Sequence, residues 1–114
     1  MDSVSAVSAL GALAQDHRLA IFRLLVQAGP DGMPAGGVAT ALGIPNSSLS
    51  FHLAQLARAG LILQERRHRS LIYSADYDAM NALVGFLMEN CCAGTACGAD
   101  TACQPPLQEQ RKSA

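Results

Sequence analysis

All four cysteines of this 114-residue chain fall in one stretch near its C-terminus, "ENCCAGTACGADTAC", residues 89–103. Cys91 and Cys92 are adjacent, Cys97 follows, and Cys103 lies further along. Four chemistries are open to such a cluster: a disulfide, a structural zinc site, a redox thiol, or capture of a thiophilic ion. Adjacent cysteines are unlike the C-x₂₋₄-C spacing of structural zinc. The N-terminus, "MDSVSAVSAL", carries Asp2 and no basic n-region, which reads against a signal peptide. No apolar run approaches the roughly 18 residues of a membrane span. The expectation is a cytoplasmic protein, where thiols stay reduced and a staple is disfavoured. A redox switch is the strongest rival to ion capture. Against it, Cys91 and Cys92 follow a predicted helix, whose negative dipole end disfavours thiolate. A bound ion displaces the thiol protons itself and needs no prior activation.

Elements must position that cluster, and the length allows one domain with one core. Half the residues are hydrophobic but only three Phe, two Tyr and no Trp are present, so the core is mainly aliphatic. Residues 4–14 read as a first, Ala-rich helix. Residues 16–28 read as a second, with Ile21, Leu24, Leu25 and Ala28 at helical spacing and Asp16 as its cap. The loop "AGPDGMPAG" leads to a short helix, "AGGVATALG", stopped at Gly43. A further helix follows from a cap at Asn46 or Ser47, buries Leu49, Leu53 and Leu56, and stops at Gly60. Residues 61–75 read as a hairpin with the basic tip "ERRHRS", although no Gly marks its turn. Residues 76–90 return to helix, with Met80, Leu83, Val84, Leu87 and Met88 as a stripe for core or dimer packing. Residues 1–92 thus form the folded domain, and 93–114 a loop-like, Cys-containing tail.

Short helix, turn, second helix and basic hairpin is the order of a winged helix-turn-helix, mainly α with one β-hairpin. On a helical wheel of residues 46–59, Ser47, Ser50, Phe51 and Ala54 lie opposite the leucines, with Gln55 at the edge. Ser and Gln can hydrogen-bond base edges, and Phe51 can touch a thymine methyl. His52 sits at the margin of the buried stripe, where a packing role and a phosphate contact are both open. Between residues 46 and 75, Arg58, Arg66, Arg67 and Arg69 stand against Glu65, a net +3 inside a chain of net −1. A basic module in an otherwise acidic protein suits phosphate contact by the hairpin. The three histidines form no evident catalytic set, so no enzyme is expected.

The stretches "SSLSFHLAQLARAGLI", "RRHRSLIYSAD" and "DHRLAIFRLL" resemble the ArsR/SmtB family of metal-responsive repressors over about residues 10–92. The resemblance implies a homodimer built on the first and last helices, bound to operator DNA in the absence of inducer. It also implies that Asn46, Ser47, Ser50 and Phe51 lie near bases. His52, Gln55, Arg66, Arg67 and Arg69 complete the expected DNA-binding set. The helix before the recognition helix has no Cys, and residues 76–90 carry acids but no His, so two of the family's inducer sites are not expected here.

The terminal cluster remains, and "ENCCAGTAC" resembles the C-terminal arsenic site of some members. Soft thiolates select soft ions. Cys91, Cys92 and Cys97, with Cys103 as the alternative third sulfur, are therefore expected to bind As(III), or Sb(III), as inducer. Two other readings are a repressor answering to thiol redox or another ligand, and a thiol-rich ion carrier without a DNA role.

Overall fold

The computed structural model describes residues 1–94. Five helices, α1 (Ser3–Leu13), α2 (Asp16–Ala28), α3 (Ala35–Leu42), α4 (Asn46–Arg58) and α5 (Tyr77–Leu87), surround strands β1 (Met33–Pro34), β2 (Ile62–Arg67) and β3 (Ser70–Ala75). The strands form one antiparallel sheet in the order β1-β3-β2.

The helix starts differ in detail from those expected. Gln15, not Asp16, caps α2, its side chain accepting from the Arg18 N–H at 3.0 Å. Asp16 is the first helical residue and acts only through the dipole. At α4 the cap is Pro45, without a side-chain hydrogen bond, so Asn46 and Ser47 lie inside the first turn. Proline's fixed φ and missing N–H suit a helix entry, where that donor would have no partner. Gly43 does end α3 in the left-handed region, φ +68°, its N–H bonded to the Ala39 carbonyl at 2.8 Å.

Strand β1 was not expected, because residues 28–36 read as a loop. It forms because Met33 and Pro34 lie against Tyr73 and Ile72 of β3, a pairing with no local signature. Gly32 permits the approach: at φ +71°, a Cβ there would strike the Tyr73 carbonyl. The β2–β3 hairpin turns through His68 and Arg69, with His68 at φ +57° where a Gly would be ordinary. Helix α5 ends at Leu87 rather than at residue 90, and Asn90 takes φ +58°. Asn is among the few residues that tolerate this conformation after a helix.

Ile21, Leu25, Val38, Leu49, Leu56 and Leu61 are the largest fully buried side chains, drawn from α2, α3, α4 and the start of the hairpin. Each fully buried side chain of this kind stabilises by about 1.5–3 kcal/mol. Helix α1 buries only Ala6, Ala9 and Ala12, leaving Val4 and Val7 exposed on its other side.

Candidate nucleic-acid interface

Because Leu49, Leu53 and Leu56 point into the core, α4 turns its opposite side outward. Asn46, Ser47, Ser50, Phe51 and Ala54 are all exposed there, and Gln55 is half-buried at the edge. The Ser50 hydroxyl donates back to the Asn46 carbonyl at 3.2 Å, which leaves its oxygen lone pairs turned to the surface as acceptors. Phe51 is 57% exposed, a large apolar ring on an otherwise polar face.

His52 departs from the rest of the expected set, since it is buried at 9% exposure on the inward side. Its ring meets His17 of α2 edge-on, centroids 5.4 Å apart, and Phe51 at 5.7 Å. Its Nδ1 lies 3.5 Å from Nη1 of Arg18. Burial, then the charge of Arg18 and of His17, holds the His52 imidazole below its ordinary pKa. The ring ties α4 to α2 and is not presented with the outward side chains.

The hairpin adds the charge. Arg66 and Arg69 border an open groove of about 540 Å³ that Ser50 shares with Pro34, Ala35 and Gly36. The recognition face and the hairpin are thus two walls of one concavity. Arg67 is tied down: it donates to Oε1 of Glu65 at 3.1 Å and to the Asp31 carbonyl at 3.4 Å. Sequence reasoning missed this tether, and it missed the contribution of Gly36 at the start of α3. A loop carbonyl and a glycine carry no signal of their own.

Cys91 and Cys92 lie in a short 3-10 turn, Cys91–Gly94, just beyond α5, the first half-buried and the second exposed. Asn90, Cys92 and Ala93 all have φ near +57°, a conformation that costs of order 1 kcal/mol or more per non-Gly residue. The backbone that carries the two adjacent thiols therefore leaves the helical conformation just beyond α5. Cys97 and Cys103 lie outside the described residues. Among the described residues, no group of three or more His, Cys, Asp or Glu is placed to hold a metal ion.

A helix-turn-helix with an antiparallel hairpin beside its exposed second helix defines a winged-helix nucleic-acid-binding regulator. Residues 13–65 match the family described as a helix-turn-helix domain. The nodulation protein NolR of Rhizobium meliloti is 32% identical over 88 residues, covering 77% of this chain and 70% of that protein. An ArsR-like transcriptional regulator from Rhodococcus sp. RHA1 superposes with a TM-score of 0.68 at 25% identity, covering 74% of this chain and 76% of that one. The homodimeric winged helix-turn-helix DNA-binding domain of Mb0332 from Mycobacterium bovis superposes with a TM-score of 0.61 at 27% identity, covering 75% and 80%. The chain belongs to the ArsR family of winged helix-turn-helix transcriptional regulators. The carrier without a DNA role is thereby set aside. Among the described residues, no helix is long and apolar enough to cross a membrane.

Proposed function

We propose that this protein is a homodimeric repressor that binds operator DNA and is released when As(III), or Sb(III), is captured by thiolates after α5. The observation that carries the reading is the position of Cys91 and Cys92. They lie just beyond α5, whose Val84 and Leu87 are 53% and 58% exposed, with Met88 at its end 44% exposed. Exposed apolar residues on α5, with Val4, Val7 and Leu10 on α1, suit burial against a second copy. A ligand gripped at the end of a dimer-forming helix is well placed to alter the spacing of two recognition helices. Half-sites one duplex turn apart are sensitive to such a change.

The DNA side of the reading uses Asn46, Ser47, Ser50, Phe51 and Gln55 toward base edges, and Arg66 and Arg69 toward phosphates, while Arg67 is held by Glu65 and the Asp31 carbonyl. His52 supports α4 from within. On the thiol side, arsenous acid exchanges three hydroxyls for the sulfurs of Cys91, Cys92 and either Cys97 or Cys103. Three As–O bonds break, three As–S bonds form, and the thiol protons leave in three waters. The names of the relatives carry no arsenic response, so the inducer is argued from this chain's own cysteines.

Arsenite titration of the reduced protein, followed by the ultraviolet absorption of As–S bonds, tests the ligand set. One ion per chain, lost in Cys91→Ser and Cys92→Ser, supports the reading. Loss in only one of Cys97→Ser and Cys103→Ser names the third sulfur. No binding by the wild type, with DNA release by a thiol oxidant instead, would establish the redox alternative.

A further inference from the structure

A second cleft of about 220 Å³ opens between α1, α2 and α4. Ser8 of α1, Arg18 of α2, and Gln55 and Arg58 of α4 line it, and no Asp or Glu does. We propose that this cleft is a binding site for a phosphate-type oxyanion, held between the guanidinium groups of Arg18 and Arg58. The inference does not rest on the thiol reading.

Uncompensated charge is the first argument. Among the described residues the sole ion pair is Arg67–Glu65, so neither Arg18 nor Arg58 has a carboxylate partner. Arg18 is half-buried, and a guanidinium taken partly out of water without a counter-charge is costly. Protein groups offset only part of that cost. The Arg18 Nε donates to the Ala12 carbonyl at 2.6 Å, and Nη1 lies by His52 Nδ1 at 3.5 Å. These contacts fix the plane of the fork and leave its other N–H groups without a protein acceptor among the described residues. A tetrahedral oxyanion accepts from such a fork in bidentate fashion. Arg58, at the last turn of α4, supplies a second charge, and the Gln55 amide and Ser8 hydroxyl supply neutral donors.

Placement gives the site a consequence. An ion here would bridge α1, α2 and α4 at once, tying the first helix to the recognition helix. It would also neutralise Arg18, one of the charges that holds His52 unprotonated, so His52 should bind its proton more readily when the site is filled.

The phosphate group could belong to the DNA backbone or to a free anion, and one experiment with two arms separates them. In the first, inorganic phosphate is titrated at constant ionic strength while amide and histidine-ring resonances are followed. The expected result is a saturable shift at Gln55 and Arg58 with an upward move of the His52 pKa. Both should survive in the exposed control Arg23→Gln, and apparent affinity should weaken at least tenfold in Arg58→Gln. In the second, duplex affinity is measured against salt. If the backbone is the source, Arg58→Gln lowers the magnitude of the log–log slope by about one, and inorganic phosphate gives no saturable shift. Arg58 lies at an exposed helix end, so its variant keeps the fold even if Arg18→Gln does not. No saturable phosphate shift together with an unchanged slope in Arg58→Gln overturns the proposal. So does a phosphate shift that persists undiminished in Arg58→Gln.

Discussion

Helices α4 and α5 carry the same kind of apolar stripe and meet different fates. On α4, Leu49, Leu53 and Leu56 are 1%, 3% and 0% exposed. On α5, Leu83 is buried while Val84 and Leu87, with Met88 just beyond, stay open to solvent. Periodicity marks a face that wants covering but does not say what covers it. For α4 the cover is the chain's own α2 and α3, so the reading head is complete in one copy. For α5, as for the outer side of α1, none of the described residues does that work. The apolar side of the reading helix is covered within one copy, whereas α5 and the outer side of α1 keep apolar surface that the proposed second copy would cover.

The contrast can be broken from either side. Leu56→Ala, at a fully buried position, should cost about 2–5 kcal/mol, read as a fall in the denaturant midpoint with an unchanged slope. Val84→Ala, at an exposed position, should leave the stability of the isolated monomer within about 0.5 kcal/mol. Comparable losses at the two sites would remove the distinction.

Next in size is the combination Val7→Glu with Leu87→Glu. Charges on these exposed faces should convert a dimer to a folded monomer in sedimentation, and duplex affinity should fall at least tenfold. Retention of the wild-type mass would mean the two faces serve another purpose.

On the reading side, Arg66→Gln with Arg69→Gln should reduce the magnitude of the salt slope of duplex binding by about two while preference among sequences is kept. Ser50→Ala should instead act on sequence preference. An unchanged slope in the double variant would remove the hairpin from the phosphate contacts.

The smallest effect concerns His52. Its folded-state pKa lies below the ordinary 6.5, so below about pH 6.5 the unfolded chain binds the extra proton first. Stability is therefore full above that value and declines as pH falls toward the folded pKa. Denaturation between pH 8 and pH 5 should show this decline in the wild type and a flatter profile in His52→Leu. Equal profiles would mean that the buried ring does not titrate with folding.

Much of this architecture is legible in the residues because it is local. The spans of α2, α3 and α4, the stop at Gly43, and the outward set Ser47, Ser50 and Phe51 all follow from spacing within a few turns. What stays hidden depends on distant partners. Met33 and Pro34 become a strand only because β3 arrives beside them, and the hairpin turns on His68 because its strands impose the register. Caps such as Gln15 and Pro45 escape because the residues beside them, Asp16 and Asn46, are better cap formers by type. His52 reads as marginal until α2 brings Arg18 and His17 against it. The pairing of Arg18 with Arg58 around one cleft has no local signature either.

The central claim is a coupling between the thiols after α5 and the recognition face of α4. It is tested most directly by duplex affinity under reducing conditions, with and without saturating arsenite, using a duplex selected by the protein itself. The account predicts that arsenite weakens binding by roughly 5–150-fold, the usual range of such couplings. It predicts no change in Cys91→Ser/Cys92→Ser, whose affinity without arsenite should match that of the wild type. An operator affinity unmoved by arsenite in the wild-type protein would contradict it.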